Sequence, residues 1–162
     1  MQNASLLNRT CRVTLLALFG VGILTRAVAQ GTPDSAVGYI LFFSSHCQEV
    51  VSRGTGSGQM LENTAQRMGV TVSEVEKVDR ACTSYLLQET KLRDEALQKH
   101  KSAEARHKTL TSTDVQSFSD RRMQLANAAM EDLKVQLTPS GYASILRYID
   151  SSVTRRLRSL AR

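Results

Sequence analysis

One stretch limits what this chain can fold into more than any other: Thr71 to about Leu110, which contains neither glycine nor proline. It opens with Thr71-Val72-Ser73-Glu74, a capping box in which the Thr71 hydroxyl and the Glu74 carboxylate each satisfy the other residue's amide. Val70 and Val75 flank the cap as a hydrophobic staple. Val75, Val78, Cys82, Tyr85 and Leu86 then recur three and four residues apart, which is one face of an amphipathic helix. A helix this long needs neighbours, and the rest of the chain must supply them.

The first residues read as a secretory leader. Arg9 and Arg12 form a basic start, Val13 to Leu24 an apolar core, and Ala27-Val28-Ala29 a small-x-small cleavage pattern. About a dozen apolar residues fall short of the roughly 20 that span a bilayer. Residues 1–29 are therefore expected to be a signal peptide, and 30–162 a single helical domain, secreted or periplasmic. Membrane contact is expected only through a leader left uncleaved. Cleavage takes three arginines from the 21 basic residues, leaving 18 against 15 acidic, so a net +6 becomes +3. A surplus that small exerts little general pull on nucleic acid, which is not an expected partner.

Cleavage also removes Cys11 and leaves two cysteines, Cys47 and Cys82. Cys47 continues the stripe Ile40, Phe43, Cys47, Val50, and Cys82 lies on the stripe Val75, Val78, Cys82, Leu86, so both face one interior. An even count in an oxidising compartment predicts a disulfide between them, with two buried thiols as the alternative.

Around the long helix, Val37–Val51 reads as a helix apolar over more than half its circumference, buried between several neighbours. Arg53 to Gly58 is a glycine-rich loop, and Gln59–Met68 a short polar helix or turn ended by Gly69. Beyond Leu92 the apolar stripe fades, and Lys91–Lys108 reads as a solvated extension, helical or frayed, with Glu95–Lys99 and Glu104–Lys108 pairs. Thr113 with Gln116 offers a second capping box for a helix from Asp114 to Leu137 bearing Phe118, Met123, Ala126, Met130, Leu133 and Leu137. Thr138 caps the last helix, with Pro139 at its first position and an apolar face running from Tyr142 and Ile145 to Leu160. The expected fold is all-α. About four main helices are foreseen: a long hairpin of the second and third, a short N-terminal helix and an amphipathic C-terminal one.

Candidate chemistry is sparse. Gly54-Thr55-Gly56-Ser57-Gly58 lacks the strand and the Gly-Lys-Ser/Thr ending of a phosphate loop and reads as a connector. His100, Glu104 and His107 would share one face of a continuous helix and form a geometric metal candidate. Lys99, Lys101, Arg106 and Lys108 around them oppose a cation, so no metal is expected. Ser44-Ser45-His46-Cys47 sets nucleophile types side by side, whereas a triad needs groups converging from separate segments. No catalytic residue or cofactor is assigned. Arg155, Arg156 and Arg158 form an anion-binding candidate that also complements a helix C-terminus.

The run Arg121-Arg122-Met123 through Leu133, then Leu137-Thr138-Pro139-Ser140-Gly141-Tyr142 and Ile145-Leu146-Arg147-Tyr148-Ile149, resembles uncharacterised small secreted all-helical proteins of soil bacteria, of the acidobacterial type. That resemblance implies fold and location only. A fainter likeness is to periplasmic chaperones of the Spy type, with Leu110-Thr111 and Leu137-Thr138 at comparable places but without the following Gln. Together these readings lead to an exported, non-enzymatic protein that binds another protein or an envelope component, its oligomeric state left open. The alternative is a chaperone-like or anion-binding helical hairpin.

Overall fold

The computed structural model describes residues 35–53 and 58–160, with side chains for residues 36–52 and 58–152. The leader and residues 54–57 of the glycine loop lie outside the described residues. Five helices are present among those described: α1 (Ser35–Arg53), α2 (Gly58–Met68), α3 (Val72–Glu104), α4 (Ser112–Gln136) and α5 (Pro139–Leu160). The chain is all-α as expected. The count of four is corrected, because Gly58–Met68 is a full helix of its own. Thr64, Ala65 and Met68 bury one side of it, and Gly69 closes it in the left-handed region (φ 68°), with Val70 N–H bonding back to Ala65 O. The long helices are thus the third and fourth. Their ion pairs Glu89–Arg122, Glu95–Arg121 and Lys99–Asp114 fix them antiparallel.

α1 packs on α3, α4 and α5, which is why its apolar residues wrap so much of its circumference. Phe43 stacks on Tyr85 with ring centroids 4.7 Å apart, and Phe42 meets Tyr148 of α5 edge-on. The main core joins these to Ile40, Cys47, Val78, Cys82, Ala126, Met130, Leu133, Ile145 and Ile149. α2 covers the start of α3 and part of α5 and is held to α1 by Arg67–Glu49.

A second, smaller cluster lies further along the hairpin: Leu92, Ala96 and Phe118, with Leu125 beside it. Most of Lys91–Lys108 is exposed as expected, but Leu92 and Ala96 are buried. α3 stays helical to Glu104, and Ala96 is only 1 % exposed beneath Phe118. The expected Glu95–Lys99 pair is also replaced, since each partner reaches across to α4 instead, Glu95 to Arg121 and Lys99 to Asp114.

Both long helices start with capping boxes. Thr71 and Glu74 pair as predicted. For α4 the box is Thr111 with Asp114, not Thr113 with Gln116. The Thr111 oxygen accepts from Asp114 N–H at 3.1 Å, and the short Asp114 carboxylate returns the bond to Thr111 N–H at 3.2 Å. That choice starts the helix at Ser112 and puts Thr113 inside its first turn.

Candidate functional site

Three polar arrangements stand out, and they run from the base of the hairpin to its tip. At the base, α3 organises the turn between α4 and α5. Glu74 is 5 % exposed. Its Oε2 accepts from Thr71 N–H (3.0 Å) and Thr71 Oγ1 (3.1 Å). Its Oε1 accepts from Thr138 Oγ1 (2.6 Å) and Thr138 N–H (3.3 Å). One carboxylate therefore serves the N-termini of two helices. Thr138 in turn accepts from Gly141 N–H at 3.0 Å. α5 has no acid in its first turn, and Glu74 supplies the missing one from another helix. Gly141 makes room for it, since a Cβ there would stand 2.7 Å from Glu74 Cδ. One turn along α3, Lys77 Nζ donates to Gln136 O (2.8 Å) and satisfies a carbonyl at the end of α4. The Thr138 hydroxyl, the Thr71 amide and the other hydrogen bonds hold Glu74 at a pKa of about 2, against an ordinary 4.5, despite its burial.

Midway, two ties link α1 to α3. Cys47 and Cys82 stand at disulfide-bonding distance, Cα atoms 5.4 Å apart, each sulfur buried in the core. One residue earlier on α1, His46 Nε2 donates to Asp79 Oδ1 at 2.8 Å, while its ring stacks on Phe42. His46 is thus engaged as a buried cross-link, and Ser45 Oγ is turned back onto Leu41 and Phe42 carbonyls. The Ser44–Cys47 row does not converge on a reacting centre. Nearby, Arg122 bridges to Glu89 and reaches Ser44 Oγ at 3.5 Å, with Arg122 and Glu89 side chains only 15 % and 17 % exposed. Tyr85 lies against this pair, and burial pushes its phenol pKa up, with Arg122 opposing the shift.

At the tip, α3 ends in a turn rather than running on. Ala105 to His107 leave the helix, His107 takes φ 53°, and Lys108 N–H bonds back to Ala103 O at 2.9 Å. This is the same closing bond that α2 makes at Gly69, here with His in the left-handed position. The turn corrects the metal candidate: with the helix over at Glu104, His107 no longer shares a face with His100 and Glu104. His100 Nε2 and Glu104 Oε1 are 3.8 Å apart. Among the described residues no group of three or more His, Cys, Asp or Glu is placed to hold a metal ion. The expected Glu104–Lys108 pair is lost at the same break. Lys101, Arg106 and Lys108 are exposed, and among the described residues none of them makes an ion pair. The Arg155, Arg156 and Arg158 candidate sits on the last part of α5, where side chains lie outside the described residues.

No helix among the described residues is long and apolar enough to cross a membrane. No family model, curated protein or solved structure matches the chain.

Sequence reasoning found the Thr71 cap and the cysteine pair. It missed Glu74 with Thr138, His46 with Asp79 and the cationic turn. One local signal existed for the first of these: Thr-Pro-x-Gly begins a helix with a cap but no acid at the third position. For the turn, the signal is the three cations packed into Arg106-His107-Lys108 and Lys101 just where the apolar stripe stops.

Proposed function

We propose that this chain is an exported, non-enzymatic helical protein that acts by contact, binding a protein or a component of the cell envelope. The observation that carries this reading is the Cys47–Cys82 pair, set at bonding distance on inward faces of two helices. A linkage of that kind persists in oxidising compartments and is rare where thiols are kept reduced. The polar groups inside the body support the same view, because they are spent on joining helices: Glu74 on two N-termini, Lys77 on an α4 carbonyl, His46 on Asp79. Membership among the small secreted helical proteins of soil bacteria belongs to this proposal.

Export is tested by expressing the full chain and reading the mass of the exported product with and without reduction and alkylation. A product that begins at Gln30 and takes up alkylating reagent at Cys47 and Cys82 only after reduction is expected. A chain that stays inside the cell with both thiols free would overturn the reading. Contact is tested by crosslinking in intact envelopes, where a discrete adduct is expected and its absence speaks against a binding role.

Lys101, Arg106 and Lys108 at the hairpin tip, exposed and without an ion pair among the described residues, favour one second reading, a chaperone-like or anion-binding hairpin. Suppression of client aggregation by the purified chain would select the chaperone version.

A further inference from the structure

The turn at the end of the hairpin differs in its charges from the other described ends of α3 and α4. There Glu74, Lys77, Asp114 and Lys99 are spent on caps or ion pairs. Between Lys101 and Lys108 the sequence places three cations, and among the described residues none of them pairs with an acid. Asp114 is taken by Lys99, and the exposed Glu104, 3.8 Å from His100, pairs with none of the three. Lys101 falls in the last turn of α3, where a cation complements the helix dipole. Arg106 and Lys108 follow the C-cap Ala105, and among the described residues no side-chain hydrogen bond ties either of them to the end carbonyls of α3.

The backbone points the same way. α2 closes with Gly69 in the left-handed region, while α3 closes with His107 in the same conformation. A side chain there costs roughly 1 kcal/mol relative to glycine. Stability alone would therefore favour glycine at position 107. The chain keeps a bulky side chain between two cations instead, at the point furthest along the hairpin from the main core. Beside the turn, Val115 is 44 % exposed and Leu110 half-buried, which sets apolar surface next to the cations.

Resting on the contact-acting reading above, we propose that this tip, through Lys101, Arg106 and Lys108, docks on an anionic phospholipid surface, with Val115 at the headgroup boundary. The chemistry recognised is lipid phosphate. A fluid, densely charged surface suits cations that have no fixed side-chain partners, because it needs no matching shape. The segment 101–115 carries no Phe, Tyr or Trp to stack on bases, which disfavours nucleic acid. The binding is electrostatic and reversible. Each cation near such a surface strengthens partitioning about fivefold, so three together give roughly a hundredfold, falling as salt is added.

The test is co-sedimentation of the purified chain with vesicles of equimolar phosphatidylcholine and phosphatidylserine, and with phosphatidylcholine alone. The parent should sediment with the acidic vesicles at low salt and remain free with the neutral ones. Lys101→Gln with Arg106→Gln and Lys108→Gln should weaken binding roughly a hundredfold and leave the thermal midpoint unchanged. Should that triple variant fail to fold, Arg106→Gln alone should lose about fivefold, and the charge-keeping swap Lys101→Arg, Arg106→Lys, Lys108→Arg should bind as the parent does. Equal binding to both vesicles, or no change on removing the cations, overturns the proposal and leaves any membrane contact to another part of the chain. Tip-dependent capture of dextran sulfate without vesicle binding also overturns it, in favour of a soluble polyanion. A partner crosslinked in envelopes would still leave the contact-acting reading standing, so the two ideas fail separately.

Discussion

The two ends of the α3–α4 hairpin are held by different physics. From the base to the middle, binding energy is buried: a carboxylate with four hydrogen bonds, a cysteine pair, and an aromatic and aliphatic core shared by all five helices. Towards the tip, two helices face each other over three buried side chains, and the rest of the seam is ionic and exposed. Phe118 has Lys99 and Arg121 near its ring, at 6.0 and 5.9 Å from the centroid, so even its apolar face is bordered by cations. A body built on buried groups unfolds as a unit. An arm built on solvent-exposed pairs opens locally and is free to meet something else. The difference can be broken from either end.

The largest effect should come from the cysteine pair. Replacing both Cys47 and Cys82 by Ala releases a loop with a sequence separation of 35. In the chain-entropy account this costs roughly 4 kcal/mol, and refilling two buried positions with smaller side chains adds to it. Denaturant titration of the variant against the parent checks this, and a loss below 1 kcal/mol would mean that the core alone sets the body's stability.

Next comes Glu74. Its pKa falls from 4.5 unfolded to about 2 folded. A depressed carboxylate contributes stability above its unfolded value and loses it as pH drops through the folded one. The body should therefore weaken progressively between about pH 4.5 and pH 2. Converted at 1.36 kcal/mol per unit, the contribution is about 3 kcal/mol at neutral pH. Glu74→Gln should lose most of it and flatten the acid limb of the stability curve over that window. An acid limb unchanged in the variant would mean that other carboxylates dominate acid unfolding.

Gly141→Ala is expected to cost less, about 1–3 kcal/mol, because the added methyl meets the Glu74 carboxylate, which must shift. The informative measurement is the double variant. In a Glu74→Ala background the obstruction is gone, so the cost of Gly141→Ala should largely vanish. Additive costs would mean that backbone freedom, rather than space, selects glycine at this position.

Part of this division is legible in the residues alone. The Thr71 box and the two cysteine stripes are local patterns, each contained within a turn or two, and periodicity exposes them. Glu74 and Thr138 are separated by 64 positions, and His46 and Asp79 by 33. No local rule links such pairs, and only packing brings them together. The α4 cap differs from its expected position for a narrower reason. Thr111-Ser112-Thr113 offers three hydroxyls in a row, and an Asp at the third position takes the reciprocal role that a Glu or Gln was expected to fill. Ala96 was lost among charges because a methyl group signals little by itself. Its burial depends on Phe118 from the other helix. Of the Lys91–Lys108 charges, Glu95 and Lys99 find their partners across the seam and not along α3.

The smallest effect on global stability should come from the arm's ion pairs. The side chains of Glu95 and Arg121 are about half exposed, and such pairs contribute little against solvent and salt. Glu95→Gln should leave the denaturation midpoint where it is. Its signature should be local: amide exchange in α3 beyond Leu92 and in the first turns of α4 should quicken, while Val75 to Tyr85 stay protected to the level of global unfolding. In the parent the same arm amides should already exchange before the body does, and added salt should narrow the gap between parent and variant as the pair is screened. Protection falling evenly along α3 would contradict the division of the molecule into a buried base and an ionic arm. An arm as protected as the base would do the same, and would also remove the ground for treating the tip as an independent contact element.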